Sequence, residues 1–329
     1  MQTLIRVWCV LWFGALTALA ADLSPAGPAT PQRQPGEYKL GPDSLPQEGV
    51  PRGKLEGPFL FKSRIFTNTV REYWVFIPAQ YTADKPACVL VFQDGQRATR
   101  TNGSLRVPQV MENLISKRQM PVTIGIFITP GARGEDYVEV GGGNPNNRAV
   151  EYDSLNDNYA RFLIEEMLPE VGKTYNLTQD PEGRAVGGTS SGAICAFTVA
   201  WERPDAFRKV ISCIGSYTSI GYRPAHDGQP MIPGGDLYPT LIRKNPIKPI
   251  RIFLQDGSND LSNEHGNWFL ANQQMLSALE WANTNADRKK EPGPRYQINH
   301  EWGDGNHSDT HGGAILPDIL RWLWQDYPK

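Results

Sequence analysis

Between residues 184 and 200 the chain reads R-A-V-G-G-T-S-S-G-A-I-C-A-F-T-V-A, and this stretch limits the possible folds more than any other. Arg184-Ala185-Val186 passes from polar to apolar as a short strand does. Ala193, Ile194, Ala196, Phe197, Val199 and Ala200 put apolar side chains on nearly every face of a helix, so that helix must be buried. Between the two lies G-x-S-x-G, with Ser190 at its centre. A serine on a sharp strand-to-helix turn is held in a strained backbone conformation with its hydroxyl exposed, and flanking glycines leave room for the turn and for close helix packing. The new helix aims its first free N–H groups at whatever sits beside the serine. The stretch reads as a nucleophile elbow; the alternative is a glycine-rich turn that only packs a helix on a sheet.

The rest of the chain supplies a setting for such a turn. Aromatic and β-branched runs at 59–63 and 72–77 predict an antiparallel pair of strands. Residues 88–92 and 122–128 are continuous apolar runs suited to strands buried on both faces, the first ending in a Gln93-Asp94-Gly95-Gln96 turn. Further strands are predicted at 209–214, 250–254 and 295–302. Helices are predicted at 107–115, 155–175, 269–282 and 314–324. The second of these carries Tyr159, Phe162, Leu163, Met167, Leu168 and Val171 at helical spacing. Residues 131–147 read as a long loop, and residues 215–247, punctuated by Pro and Gly, as an irregular connection walling a cleft. Strands alternating with helices after an antiparallel start predict one α/β domain over residues 57–329, with a mostly parallel central sheet and helices on both faces.

Arg6, an apolar run at 7–16 and Ala18-Leu19-Ala20 have the order of a secretory signal peptide, so residues 1–20 are expected to be removed and the protein to be secreted or periplasmic. The apolar run is short for a membrane span. Residues 21–56, rich in Pro, Gly and Gln, read as a flexible leader. A net charge of −2 over 329 residues supports neither nucleic-acid nor membrane-surface binding. Beyond the signal, Cys88, Cys195 and Cys213 lie in apolar surroundings and read as buried thiols, with a Cys195–Cys213 bridge as the alternative.

A serine hydroxyl is a poor nucleophile at neutral pH. It needs a base within hydrogen-bond reach, and that base needs an orienting carboxylate. In a doubly wound sheet these gather at the carboxyl ends of strands, here in the order Ser, acid, His. Of the five histidines, His226 precedes the acid loop, His265 is too close to it and His300 falls within a strand pattern. His307, lifted by the turn Gly303-Asp304-Gly305-Asn306, is favoured over His311, which reads as a surface loop residue. Beyond 250–254, Asp260 follows a full turn and is favoured over Asp256, which reads as capping that turn. A tetrahedral intermediate also needs backbone donors, expected from the N–H groups of Ser191 and Gln96. Tyr217 and Trp268, just past strand ends or in the acid loop, are candidate cleft-lining residues, with core packing the alternative for each. Arg148 with Glu151-Tyr152 reads as a salt bridge fixing a helix start, and Trp322 and Trp324 as packing against the sheet. The acidic run at 256–260 imitates a calcium loop, but Leu261 stands where glycine is needed. No H-E-x-x-H is present, so no metal is expected.

Six stretches, REYWVFIPAQY (71–81), VFQDGQ (91–96), RAVEYDSLNDNYARFLIEEMLPEV (148–171), GGTSSGA (187–193), RIFLQDGSNDLSNEHGNW (251–268) and GNHSDTHGGAILPDILRWLW (305–324), together resemble one esterase family. It includes enterochelin esterases, esterase D and the feruloyl and acetylxylan esterase relatives, and the likeness covers residues 58–326. The resemblance implies the α/β-hydrolase fold, Ser190 as nucleophile, the acid at the Asp of a G-x-x-D pattern (Gly257 to Asp260) and the base at glycine-preceded His307. Where the family commonly has Gly-Gly-His or Gly-His, this chain has Gly305-Asn306-His307, with a second histidine four residues on. The implied activity is cofactor-free hydrolysis of a small-molecule or saccharide ester: an acyl or feruloyl ester on polysaccharide, or a catecholate siderophore ester. An acyltransferase on the same machinery and a non-catalytic binding protein of this fold are the rival readings.

Overall fold

The computed structural model describes residues 38–133 and 146–329. The predicted signal peptide, the leader up to residue 37 and most of the predicted loop at 131–147 lie outside the described residues. The strands, in chain order, are β1 (Lys54–Lys62), β2 (Thr69–Ile77), β3 (Cys88–Gln93), β4 (Thr123–Ile128), β5 (Ala132–Arg133), β6 (Arg184–Thr189), β7 (Lys209–Cys213), β8 (Arg251–Asn259), β9 (Ser262–Asn263), β10 (Gly266–Asn267) and β11 (Gln297–Asn306). Among the described residues, nine of them form one sheet in the order β1-β2-β4-β3-β6-β7-β8-β11, with β5 on β2, while β9 and β10 make a separate two-stranded ribbon. From β4 to β11 every pairing is parallel, and β1–β2 and β2–β4 are antiparallel. This is the predicted architecture, and the expected strands and helices are present with boundaries moved by a few residues.

Burial on both faces explains why the parallel strands read as unbroken apolar runs. Successive side chains of β3 alternate, so Val89 and Val91 enter one core and Leu90 and Phe92 the other. The helices are α1 (Gly95–Ala98), α2 (Val107–Ser116), α3 (Arg148–Tyr152), α4 (Asn158–Arg161), α5 (Leu168–Gly172), α6 (Ser191–Glu202), α7 (Tyr238–Lys244), α8 (Trp268–Arg288) and α9 (Asp309–Leu323). The first core packs Phe162, Phe197 of α6 and Met275 and Leu279 of α8 against the sheet. The second packs Val110 and Leu114 of α2 and Ile319 and Leu320 of α9. The helix predicted at 155–175 is interrupted: a π-helical turn, Phe162–Met167, joins α4 to α5 just before Pro169, which has no N–H to continue an α-helical ladder. Trp324 is buried in the second core and Trp322 packs against it, as expected. Cys88, Cys195 and Cys213 are buried thiols with no bridge between them.

The leader expectation extended to residue 56, but residues 38–56 are packed on the domain. Asn113 of α2 donates to the carbonyls of Asp43 and Leu45 at 2.8 and 2.9 Å, the Gly53 N–H reaches Glu112 at 2.7 Å, and Asp43 pairs with Lys117 and Arg321. Residues 54–56 already belong to β1, whereas the strap at 38–53 is held by helix side chains rather than by a ladder of its own, so it carries no periodicity for the sequence to reveal. No helix among the described residues is long and apolar enough to cross a membrane.

Candidate active site

Ser190 stands between β6 and α6 at φ 59°, ψ −125°, a backbone region costly for any residue with a Cβ. Its N–H donates to the Cys213 carbonyl at 3.0 Å and its own carbonyl accepts from the Ser216 N–H at 3.2 Å, so the turn is pinned to the end of β7. Gly188 is required for the sharpness of the turn, since a Cβ there would lie 2.5 Å from the Gly192 carbonyl. The Ser190 side chain is left half-buried, its hydroxyl above the sheet.

The acid and base come from the next loops along the same rim. Asp260 follows β8 in a turn closed by its N–H to the Gly257 carbonyl at 3.0 Å, and His307 sits between β11 and α9. β11 carries an irregularity between Gly303 and Asn306, and a Cβ on Gly257 would stand 2.2 Å from the Gly305 carbonyl oxygen, so two glycines let the loops approach. Asn259 Nδ2 donates to the Asp304 carbonyl at 2.7 Å and ties them together. His307 Nε2 is then 2.8 Å from Ser190 Oγ, and His307 Nδ1 is 2.5 Å from Asp260 Oδ1. Burial works against the Asp260 charge, but hydrogen bonds from His307, Asp256 and the Leu261 N–H hold its pKa below the ordinary carboxylate value. An ionised Asp260 only accepts, so Nδ1 carries the imidazole proton and Nε2 is the acceptor facing the serine.

The Ser191 and Gln96 N–H groups lie in the first turns of α6 and α1, where no intrahelical acceptor exists. A Cβ on Gly192 would stand 3.1 Å from Gln93 Cβ and 3.4 Å from Asp94 Oδ2, which measures how closely these two turns adjoin. Two donors beside a serine, an imidazole and a buried carboxylate are the parts needed to carry an acyl group through a tetrahedral intermediate.

The family described as "Putative esterase" matches residues 66–307, well over half of the chain. The chain belongs to this esterase family. Its sheet and helices are those of the α/β-hydrolase fold. The enterobactin esterase FES from Shigella flexneri, solved with 2,3-di-hydroxy-N-benzoyl-glycine, superposes with a TM-score of 0.60 at 22% identity, covering 89% of this chain and 63% of that one. The CE1 ferulic acid esterase AmCE1/Fae1A from Anaeromyces mucronatus superposes with a TM-score of 0.57 at 17% identity, covering 87% and 96%. In sequence, the uncharacterized protein YbbA of Bacillus subtilis is 22% identical over 148 residues, 45% of this chain and 57% of that protein. The chain therefore spans less than two thirds of the length of YbbA and of FES.

Other residues of the chain depart from the sequence reading. His311 is not a surface loop residue. It lies in the first turn of α9, 2% exposed, with Nδ1 2.9 Å from Gln255 Nε2, Nε2 3.2 Å from Glu301 Oε1 and its ring 4.1 Å from that of Tyr38. Asp256 does cap the turn, accepting from the Gly257 N–H at 2.7 Å, but it also accepts from Asn272 Nδ2 at 2.6 Å. Its burial, together with the hydrogen bond to Asp260, pushes its pKa up to about 9. Arg148 does make a salt bridge, though not with Glu151. Its guanidinium grips Asp94 at 3.0 and 2.7 Å, holding the left-handed turn ahead of Gln96, whereas Glu151 pairs with Arg71 at 2.6 Å, both fully buried.

Tyr217 and Trp268, expected in a cleft, are each 1% exposed. Tyr217 shares a hydrogen bond with Ser212 at 2.9 Å, and Trp268 makes a T-shaped ring contact with His307, centroids 5.7 Å apart. Exposed apolar side chains appear instead at Tyr222, Met231 and Ile232, on an arm joined by an Arg223–Ile232 bridge. Sequence reasoning also missed Ser216, whose hydroxyl lies 3.2 Å from Ser190 Oγ. Its signal was the one that singled out Tyr217: a place just past the carboxyl end of the strand beside the elbow. Among the described residues no group of three or more His, Cys, Asp or Glu is arranged to hold a metal ion.

Proposed function

We propose that the chain is a secreted serine carboxylic ester hydrolase that works through an acyl-enzyme. The observation that carries this reading is the hydrogen-bonded series Ser190–His307–Asp260, with the Ser191 and Gln96 N–H groups in the first turns of α6 and α1. Ser190 Oγ attacks the acyl carbon while its proton passes to His307 Nε2, and Asp260 supports the imidazolium. The carbonyl oxygen becomes an oxyanion held by the N–H groups of Gln96 and Ser191. His307 gives the proton to the leaving alcohol, leaving the acyl group on Ser190. Water, deprotonated by His307, attacks the acyl carbon, and Ser190 Oγ departs with the proton returned. Secretion is supported by the pattern of residues 1–20. The likeness to an enterobactin esterase and a ferulic acid esterase favours acyl groups that carry a phenol ring, as feruloyl or catecholate esters do.

A hydrolysis panel of acetyl, feruloyl and catecholate esters, with Ser190→Ala alongside, tests the reading. Turnover of one aryl ester is expected, and Ser190→Ala should lose about 10⁴-fold of it without unfolding. A fluorophosphonate should label Ser190. Retention of a tenth of the activity by Ser190→Ala, or no adduct on the folded wild type, would remove Ser190 as the nucleophile.

A further inference from the structure

Ser216 is fully buried, and its hydroxyl has two polar neighbours among the described residues: Trp268 Nε1 at 3.1 Å and Ser190 Oγ at 3.2 Å. An indole N–H can only donate, so Ser216 Oγ accepts from Trp268. At the other end, Asp260 accepts a hydrogen bond from the Nδ1–H of His307, which leaves Nε2 as an acceptor and commits the Ser190 proton to it. The Ser216 proton then has one acceptor within reach, a lone pair of Ser190 Oγ. From the indole to the carboxylate, each proton points the same way.

We propose that Ser216 is a further catalytic residue, donating a hydrogen bond to the nucleophilic oxygen of Ser190, and that Trp268 is the positioning residue that sets the direction of that bond. The proposal rests on the Ser190 acyl-enzyme reading. The contact is long in the resting enzyme, as catalytic hydrogen bonds often are before charge develops. It gains strength when Ser190 Oγ leaves the second tetrahedral intermediate, because the oxygen then gains the electron pair of the breaking C–O bond while the His307 proton arrives. During acylation the same oxygen gives electron density to the acyl carbon, and a donor on it helps less. The contribution of Ser216 therefore falls on deacylation, in kcat rather than in binding. The ring of Trp268, in T-shaped contact with that of His307, restricts the space around the imidazole, a separate duty that phenylalanine can share.

The test uses Ser216→Ala, Ser216→Cys, Trp268→Phe and the double variant Ser216→Ala/Trp268→Phe of the full chain, with pre-steady-state and steady-state hydrolysis of a chromogenic ester. Ser216→Ala should lose about 10- to 100-fold in kcat with KM little changed, since one preorganised donor to a developing oxyanion contributes up to about 10²- to 10³-fold. The rapid burst of the first leaving group should persist, with a slower steady state behind it. Ser216→Cys, with a weak S–H donor, should fall between. Trp268→Phe should lose less than Ser216→Ala, and the double variant should be no slower than Ser216→Ala, because the indole acts only through that hydroxyl. Turnover of Ser216→Ala within twofold of wild type, or losses that multiply in the double variant, would overturn the proposal. Should Ser216→Ala fail to fold, Ser216→Cys and Trp268→Phe decide the question through kcat and burst, and wild-type kcat in both would overturn it. Absence of a fluorophosphonate adduct on wild-type Ser190 would instead remove the acyl-enzyme reading beneath it.

Discussion

Asp256 and Asp260 stand four residues apart, and their surroundings drive them in opposite directions. Asp260 faces His307 and stays ionised, whereas Asp256 is fully buried between the Gly257 N–H, Asn272 and Asp260, with its pKa pushed up to about 9 by burial and by its neighbour. From about pH 4 to about pH 9 the folded state thus holds a proton on Asp256 that the unfolded state has released. Stability from this group is complete below about pH 4 and is lost as pH rises through about 9, while the Asp260 contribution runs the other way and is lost in acid. Asn resembles a neutral carboxylic acid, so Asp256→Asn should flatten the fall in thermal midpoint from about pH 6 to 9 and keep turnover within a few-fold. Asp260→Asn should lower turnover by about 10³- to 10⁴-fold. Thermal scans and kinetics across pH check both, and loss of turnover in Asp256→Asn would mean that an ionised Asp256 is needed. Ser190, Asp260 and His307 could be picked out in the sequence because each sits at a strand end in a glycine-marked pattern. Ser216 could not: Gly215-Ser216-Tyr217-Thr218-Ser219 carries no spacing that separates a serine touching Ser190 from its neighbours.

Among the elements, the elbow was the most readable and the start of α9 the least. The elbow combines a short strand, two glycines and a helix buried all round, and each signal agrees with the others. The helix is expected to begin at Ala314, which leaves His311 in the preceding loop and reads it as a surface residue, but α9 begins at Asp309 and takes in Gly312 and Gly313. Those glycines are inside the helix for lack of room: a Cβ at Gly313 would stand 2.1 Å from the Ser104 carbonyl oxygen, and one at Gly312 would stand 3.0 Å from Cys213 Sγ. Close packing, not chain reversal, sets their identity, and a single sequence does not distinguish the two. The positive φ of Ser190 carries its own prediction. Ser190→Gly and Ser190→Ala should both be inactive, but the glycine variant should be the more stable by about 1 kcal/mol or more, since only glycine adopts that backbone without strain. Equilibrium denaturant unfolding of the pair measures this, and equal midpoints would show that the turn holds no strain.

At the scale of the molecule, the alternation of strand and helix patterns pointed to the α/β class and the parallel sheet, but composition misread the strap at 38–53, whose order comes from partners far away in the chain. Tyr38 is its first anchor, stacked on His311 and donating to Asp304 Oδ1 at 2.6 Å. Tyr38→Ala should lower unfolding free energy by about 1–3 kcal/mol, and Tyr38→Phe, which keeps the stack, by less. Denaturant midpoints of the two variants check the ranking, and an unchanged Tyr38→Ala would make the strap an onlooker. α9 has a further consequence. It leaves the loop of His307 and runs back along the sheet, so that Asp326 meets Arg251 at the first residue of β8 and the Tyr327 hydroxyl reaches Asp180 just ahead of β6. The molecule is thereby polarised for attachment. A resin, fibre or fused module joined after Lys329 would be held at the rim opposite Ser190 and His307, leaving those side chains turned toward the bulk liquid. The same cargo joined just ahead of Tyr38 would be held at the rim where His311 and Asp304 lie.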